Sequence, residues 1–123
     1  MAKILIIEDD LVLQKALADY LSAEGFEIKV ASDGENGEKL AISEKPDLIL
    51  LDIILPKKDG FEVLRSVRDE EKTQKIPIVL LTNLDSINDV EKALELGATT
   101  YLVKADYKLE EVTAKVKELL NIK

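Results

Sequence analysis

Short apolar runs alternate with longer amphipathic segments throughout the chain. The runs are a few residues long and rich in Ile, Leu and Val, which is typical of buried strands. Between them, apolar residues recur at intervals of three and four, the spacing that places them on one face of a helix. This pattern predicts strands at residues 3–7, 26–31, 48–51, 76–81 and 99–103. It predicts helices at residues 11–24, 34–44, 59–70, 86–96 and 109–120.

The alternation of strands with helices favours a parallel sheet with right-handed crossovers. The uninterrupted apolar run at residues 48–51 predicts a central strand covered on both faces, whereas the alternating run at 26–31 predicts a strand nearer an edge. We therefore expect an α/β fold, a doubly wound five-stranded parallel sheet in the order 2-1-3-4-5 with five helices. The length of 123 residues indicates one domain, residues 1–123.

Chemically reactive side chains stand at the ends of four of the apolar runs. Glu8 and Asp9 follow the first predicted strand, Asp52 the third, Thr82 the fourth and Lys104 the fifth. The carboxyl ends of parallel strands meet at one edge of a sheet, where open α/β folds bind ligands, so these side chains should lie close together. Carboxylates there suit a divalent cation, and Asp9 and Asp52 can ligate Mg²⁺ directly. Lys104 and Thr82 suit the oxygens of a phosphoryl group, with Asp52 as its covalent acceptor.

Each of these residues also has an ordinary structural explanation. An acidic run such as residues 8–10 often caps a helix and complements the helix dipole. Asp52 could cap a turn, Thr82 could be a simple strand-end hydroxyl, and Lys104 could be solvated at the rim of the sheet. A strand tyrosine such as Tyr101 most often packs in the core. The placement of the reactive residues at the carboxyl ends of strands, one after another, favours the functional interpretation.

The amino-acid composition excludes several kinds of catalytic and binding site. The sequence has no histidine, so it cannot be a phosphohistidine donor, and any metal site must use the oxygen ligands that Mg²⁺, Mn²⁺ or Ca²⁺ prefer. The lack of cysteine excludes disulfides and thiolate chemistry. A net charge of −8 argues against direct nucleic-acid binding, which requires a basic face. No apolar run approaches the roughly 20 residues of a membrane span, and the first run is too short for a signal peptide, so we expect a cytoplasmic protein without membrane contact.

Four segments contain the reactive residues and the apolar runs before them. They are ILIIEDD at residues 4–10, PDLILLDIILPKKDGF at 46–61, IPIVLLT at 76–82 and GATTYLVK at 97–104. Together they resemble the receiver domain of two-component response regulators. The resemblance covers essentially the whole chain, and the signature positions occur in order and at the spacing of that family. It implies a flavodoxin-like fold and a single domain like that of the chemotaxis regulators.

The resemblance implies Mg²⁺-dependent transfer of a phosphoryl group to Asp52 from the phosphohistidine of a sensor histidine kinase or of a phosphotransfer protein. It assigns the metal to Asp9, Asp52 and the backbone carbonyl of Ile54, with Glu8 acting through water. Mg²⁺ is the expected cofactor, and Mn²⁺ is an alternative. On this basis the domain catalyses its own phosphorylation and slow dephosphorylation but works mainly as a signalling switch.

The resemblance also assigns a switch to Thr82 and Tyr101. On phosphorylation the hydroxyl of Thr82 moves toward the phosphoryl group and the ring of Tyr101 turns inward. Lys104 completes the catalytic set with Asp52 and Thr82. An output surface for an unknown partner is then expected on the fourth helix, the fifth strand and the last helix.

One departure from the family follows the fifth strand. Most receivers have proline after the lysine, but here Ala105 follows Lys104. Because a cis bond before a non-proline residue costs about 2.5–4 kcal/mol, we predict a trans Lys104–Ala105 bond. The segment that leads into the last helix is also longer than usual, which predicts a remodelled loop with Asp106 as a candidate N-cap.

A second departure concerns the lifetime of the phosphorylated form. Ile54 and Leu84 occupy positions where receivers with fast self-hydrolysis have polar side chains that place the attacking water. Two aliphatic side chains should exclude that water, so we predict a long-lived phosphoryl group on Asp52. Asn83 replaces the small residue that is common after the hydroxyl, and it either crowds the phosphoryl group or donates a hydrogen bond to it.

Three other functions are weaker interpretations of the same residues. A pseudo-receiver would bind partners without phosphorylation, but the intact reactive residues argue against it. A hydrolase of the aspartyl-phosphate type would have a second aspartate where Ile54 stands, and a flavin-binding protein would have a phosphate-binding loop after the first strand. Whether the chain is a stand-alone receiver or a piece of a larger regulator, and which kinase it serves, stays open.

Overall fold

The computed structural model describes residues 2–82, 87–104 and 108–121, and within them five strands alternate with five helices. The strands are β1 (Lys3–Ile7), β2 (Glu27–Ala31), β3 (Leu48–Asp52), β4 (Ile78–Thr82) and β5 (Thr100–Val103). The helices are α1 (Leu11–Ala23), α2 (Gly34–Glu44), α3 (Gly60–Asp69), α4 (Ile87–Glu95) and α5 (Leu109–Leu119). All neighbouring strands pair in parallel, in the order β2-β1-β3-β4-β5. The predicted fold class is confirmed.

The third and fourth strands reach further toward the carboxyl edge of the sheet than predicted. β3 includes Asp52 and β4 includes Thr82, and both residues are in register with a neighbouring strand. Pro77 lacks the N–H that a central strand requires, and β4 accordingly begins at Ile78 rather than at residue 76. Asp52 and Thr82 are therefore fixed by strand pairing rather than carried on loops.

Side chains of the sheet alternate between two layers of helices. In β3, Leu48 and Leu50 pack with residues of α1 and α5, whereas Ile49 and Leu51 pack with residues of α2, α3 and α4. Both faces of the sheet are thus covered, which is why its interior strands consist almost entirely of apolar residues. None of the helices that the structure describes combines the length and the apolar character needed to cross a membrane.

Burial follows the position of each strand in the sheet. β3 and β4 are buried throughout, whereas β2 and β5, which form the two edges, are partly exposed. The predictions of a central third strand and of a second strand at an edge are confirmed. The edge position of β5 leaves the side chain of Tyr101 45% exposed, so core packing does not explain this tyrosine.

Residues 53–59 link β3 to α3 at the carboxyl edge of the sheet. Gly60 begins α3, and its N–H donates a hydrogen bond to the carbonyl oxygen of Ile53 at 2.7 Å. A Cβ atom at Gly60 would lie 2.6 Å from the carbonyl oxygen of Asp52 and 2.6 Å from the Cα atom of Ile53. Glycine therefore lets α3 start directly against the end of β3.

We expect Gly60→Ala to lower the free energy of unfolding by about 2 kcal/mol, because backbone atoms of Asp52 and Ile53 must move to admit the methyl group. Alanine ordinarily stabilises a helix by about 1 kcal/mol relative to glycine. A lower free energy of unfolding in Gly60→Ala would therefore show that the steric clash outweighs helix propensity. Urea unfolding followed by circular dichroism measures it. Arg65→Ala, at an exposed position of the same helix, is the control and should stay within about 0.5 kcal/mol. A Gly60→Ala variant as stable as the parent chain would contradict this account.

Candidate functional site

Three carboxylates meet at the carboxyl edge of the sheet. Oxygen atoms of Glu8, Asp9 and Asp52 all lie within 4.8 Å of one another. Glu8 and Asp52 are buried, whereas Asp9 is exposed. The predicted convergence of the ends of β1 and β3 brings these residues together, because the two strands are neighbours in the sheet.

Lys104 points into this group of carboxylates from the end of β5. Its Nζ donates a hydrogen bond to Asp52 Oδ2 at 2.9 Å and lies 2.9 Å from Glu8 Oε1. The lysine side chain is only 19% exposed, so the explanation as a solvated rim lysine is wrong. Its contact with Glu8 is an ion pair without hydrogen-bond geometry, and none of the residues that the structure describes donates a hydrogen bond to Glu8 Oε1.

The electrostatics of the site follow from burial and from these close contacts. Burial raises the pKa of Glu8 to about 7, although the nearby Lys104 ammonium and the hydrogen bond from the Asp10 N–H act to lower it. Burial also acts to lower the pKa of Lys104, but its hydrogen bond to Asp52 and its ion pair with Glu8 outweigh burial and raise it. Lys104 is therefore charged at neutral pH, and its one positive charge faces three carboxylates.

The three acidic residues after β1, at positions 8–10, have different roles. Asp10 caps α1, since its Oδ1 accepts hydrogen bonds from the N–H groups of Val12 at 3.0 Å and Leu13 at 3.2 Å. The N–H of Asp10 in turn donates to Glu8 Oε2 at 3.1 Å, which orients that carboxylate. The capping explanation is thus correct for Asp10, whereas Glu8 and Asp9 are available to the site.

Gln14 is a supporting residue that the sequence analysis missed. This buried side chain of α1 donates from Nε2 to the carbonyl oxygen of Glu8 at 2.9 Å, to that of Ala31 at 3.2 Å and to Ser32 Oγ at 3.2 Å. It ties the turn after β1 to the end of β2. The available signal was its place in α1, directly beside Leu13 and three residues before the buried Leu17, where a polar residue needs a partner.

The backbone of Ile54 completes one side of the site. Its N–H donates a hydrogen bond to Asp52 Oδ1 at 3.2 Å. The neighbouring side chains of Ile53 and Leu55 are buried in the core, while that of Ile54 is 65% exposed. The chain after β3 therefore turns the backbone of residue 54 toward Asp52 and its side chain toward solvent.

Thr82 ends β4 and is buried, and its carbonyl oxygen accepts a hydrogen bond from the Lys104 N–H at 2.6 Å. The ends of β4 and β5 are thereby joined at the site.

Several sequence predictions lie outside the described residues. They concern Asn83, Leu84, Ala105, Asp106 and Ser86, the first residue of the predicted fourth helix, and they include the state of the Lys104–Ala105 bond.

A magnesium ion fits the donors that the structure brings together. All of them are oxygens, and three carboxylates against one ammonium leave negative charge for a divalent cation to neutralise. The buried Oε1 of Glu8 pairs with the Lys104 ammonium but receives no hydrogen bond from the described residues, so it is a further oxygen acceptor in this group. The site is therefore suited to bind a hard cation and, beside it, an anionic group held by Lys104.

Comparison with known proteins supports the resemblance noted in the sequence. The family of the response regulator receiver domain matches residues 4–117. The DNA-binding dual master transcriptional regulator RpaA of Synechocystis is 41% identical over 120 residues, which are 98% of this chain and 49% of RpaA. The chain spans about half the length of such curated transcriptional regulators.

Solved structures share the fold over the whole chain. A two-component response regulator from Clostridium difficile has a TM-score of 0.89 at 34% identity, covering 98% of this chain and 97% of its own. The receiver domain of the sensor histidine kinase PA1611 from Pseudomonas aeruginosa has a TM-score of 0.89 at 29% identity, covering 98% of both chains. The structure of PA1611 has a magnesium ion coordinated in its active site cleft.

We expect Lys104→Met to lower the free energy of unfolding by about 3 kcal/mol in metal-free buffer, because Glu8 and Asp52 lose their shared cation. Unfolding is measured at about pH 8, above the pKa of Glu8, so that this carboxylate is ionised in the parent chain. Saturating Mg²⁺ should then stabilise the variant more than the parent chain, because the ion neutralises the charge that Lys104 no longer balances.

The control for this change is Lys15→Met, which removes an exposed lysine paired with Asp19 on α1. Its effect should stay within about 0.5 kcal/mol with or without Mg²⁺. Equal stabilisation of the parent chain and of Lys104→Met by Mg²⁺ would show that the lysine and the ion do not balance the same charge.

Proposed function

Because the chain belongs to the response regulator receiver domain family of two-component systems, we propose that it accepts a phosphoryl group on Asp52 and acts as a phosphorylation-controlled switch. One observation carries the proposal: Glu8, Asp9, Asp52 and Lys104 converge at one edge of the sheet. We take residues 1–123 as a single receiver domain. The intact set of charged groups disfavours a pseudo-receiver that ignores phosphate.

In this proposal Mg²⁺ is held by Asp9, Asp52 and the backbone carbonyl of Ile54, with Glu8 acting through water. The cluster of carboxylate oxygens supports the assignment, and so does the magnesium ion in the related receiver domain of PA1611. When bound, the cation offsets the repulsion between the Asp52 carboxylate and an incoming phosphoryl group.

The proposed donor is the phosphohistidine of a sensor histidine kinase or of a phosphotransfer protein. A carboxylate oxygen of Asp52 forms the new bond to phosphorus, and the electron pair of the broken P–N bond stays on the donor imidazole. Lys104, which now donates to Asp52 Oδ2, then binds a phosphoryl oxygen through the same ammonium group. The hydroxyl of Thr82 binds another phosphoryl oxygen.

Thr82 and Tyr101 form the proposed switch. The structure has Thr82 buried at the end of β4 and Tyr101 half-exposed on the neighbouring β5, and in this proposal the ring of Tyr101 turns inward on phosphorylation. A shift from a mostly inactive to a mostly active population requires about 5.5 kcal/mol of differential interaction. Two or three new charge-assisted contacts at roughly 1.5–3 kcal/mol each are of that size. The output partner then binds the surface formed by α4, β5 and α5.

Incubation with acetyl phosphate and Mg²⁺ should add one phosphoryl group to the parent chain, as measured by intact-protein mass. Asp52→Asn should abolish the adduct, because an amide is a poor nucleophile compared with a carboxylate. Asp47→Asn, just before the opposite end of β3, is the matched control and should react like the parent chain. An adduct of normal yield in Asp52→Asn, or one formed without Mg²⁺, would refute the proposed chemistry. An absence of both adduct and Mg²⁺ binding would make the pseudo-receiver the better proposal.

The phosphoryl group on Asp52 should be long-lived, because the aliphatic side chain of Ile54 gives no hydrogen bond to an attacking water. We expect Ile54→Asn to shorten the half-life of the adduct by about tenfold, equivalent to about 1.4 kcal/mol in the barrier. Decay of the phosphorylated mass over time measures this. Ile42→Asn, at an exposed position of α2, should leave the half-life unchanged. Fast decay in the parent chain, or no change in Ile54→Asn, would contradict the role given to this aliphatic side chain.

A further inference from the structure

The backbone of Ile54 lies in a segment whose position is set by contacts away from the site. Residues 53–59 run from β3 to α3, and the N–H of Ile54 reaches Asp52 Oδ1 at 3.2 Å. Ile53 and Leu55 are buried on either side of it. The position of this segment, called here the β3–α3 loop, therefore decides where the carbonyl of Ile54 stands relative to the carboxylates.

The β3–α3 loop rests on the beginning of α2. The N–H of Gly34 donates to the carbonyl oxygen of Pro56 at 3.3 Å. A Cβ atom on Gly34 would lie 1.6 Å from the carbonyl oxygen of Lys58, so the backbones approach as closely as only glycine permits. The ammonium of Lys58 donates to Glu38 Oε2 on α2, which joins loop and helix through side chains as well.

Two features show that this part of the loop has to be held. Lys57 has a φ of 68°, in the left-handed region that non-glycine residues rarely adopt and that persists when surrounding contacts hold it. The pair Lys58–Glu38 is also partly shielded from solvent, with side chains 31% and 22% exposed. By contrast, Lys39 and Glu35 form a pair within α2 whose side chains are 71% and 56% exposed.

We propose that Lys58 and Glu38 are positioning residues for the divalent cation: their ion pair holds the β3–α3 loop against α2 and so keeps the Ile54 carbonyl in place. This inference rests on the proposed Mg²⁺ site. When the pair is broken, the loop populates more arrangements, and the fraction of molecules with a complete site falls. The apparent affinity for Mg²⁺ falls in the same proportion.

A positioning role and a direct charge effect predict opposite changes in the affinity for Mg²⁺ when Lys58 is replaced. Positioning predicts that Lys58→Met and Glu38→Gln both weaken Mg²⁺ binding, by about twofold to fivefold, the range expected from a partly shielded ion pair. A direct field effect predicts that losing the positive Lys58 strengthens Mg²⁺ binding, whereas losing the negative Glu38 weakens it. The pair of single variants therefore separates the two mechanisms.

The test is the dissociation constant for Mg²⁺, measured by calorimetry on the full chain and its variants. Lys39→Met and Glu35→Gln are matched controls, since they remove the same charges from a pair on α2 that does not reach the loop. Lys58→Met and Glu38→Gln should bind more weakly than both controls, and Lys58→Arg should retain the parent affinity. Urea unfolding in metal-free buffer should show folded variants, which separates loss of the site from loss of the fold.

Two results would overturn the inference alone while the parent chain binds Mg²⁺ normally. One is tighter binding by Lys58→Met than by the parent chain. The other is binding by Lys58→Met and Glu38→Gln equal to that of the two controls. A parent chain that does not bind Mg²⁺ would overturn the proposed function and this inference with it.

Discussion

Repulsion among the carboxylates at the sheet edge is the constraint around which the rest of the site is arranged. Two unit charges 4.8 Å apart, the upper limit for these oxygen atoms, repel by about 3–4 kcal/mol at an effective dielectric constant of about 20. The parallel sheet creates this crowding, because it delivers Glu8, Asp9 and Asp52 to the same edge. Lys104 offsets part of it through contacts of 2.9 Å with both buried carboxylates. The remaining negative charge favours the binding of a cation, which the proposed function requires.

The same charge balance explains how phosphorylation of one carboxylate oxygen can affect other parts of the fold. The ammonium group of Lys104 contacts both Glu8 and Asp52, and its backbone N–H donates a hydrogen bond to the carbonyl oxygen of Thr82. In the proposed function, a phosphoryl group on Asp52 redistributes those contacts. Thr82 ends β4 and Lys104 directly follows β5, so a change at the ammonium affects both strands. Tyr101, three residues before Lys104, lies on the surface where a partner would detect that change.

The sequence predicts the fold through signals that are local or periodic, and it misses contacts between distant segments. Apolar runs separated by amphipathic segments predict the parallel sheet, and the residues at their ends predict the convergence of Glu8, Asp9, Asp52 and Lys104. The inward position of Gln14 and the pair between Lys58 and Glu38 depend on distances across the folded chain, which periodicity does not encode. The ion pair of Lys104 with Glu8 was missed for the same reason, since both residues were assigned to ligands rather than to each other.

The burial of Glu8 is itself an argument that the site is functional. Ionised carboxylates are rarely buried completely, and an apolar residue of similar volume in place of a buried ion pair is often as stable or more stable. Burial raises the pKa of Glu8 to about 7, which means that the folded protein holds this group against its preference for water. Natural sequences depart from the rules of stable packing mainly where function requires it. A fully buried acid beside Asp52 and Lys104 is therefore explained by the chemistry proposed for them and not by stability.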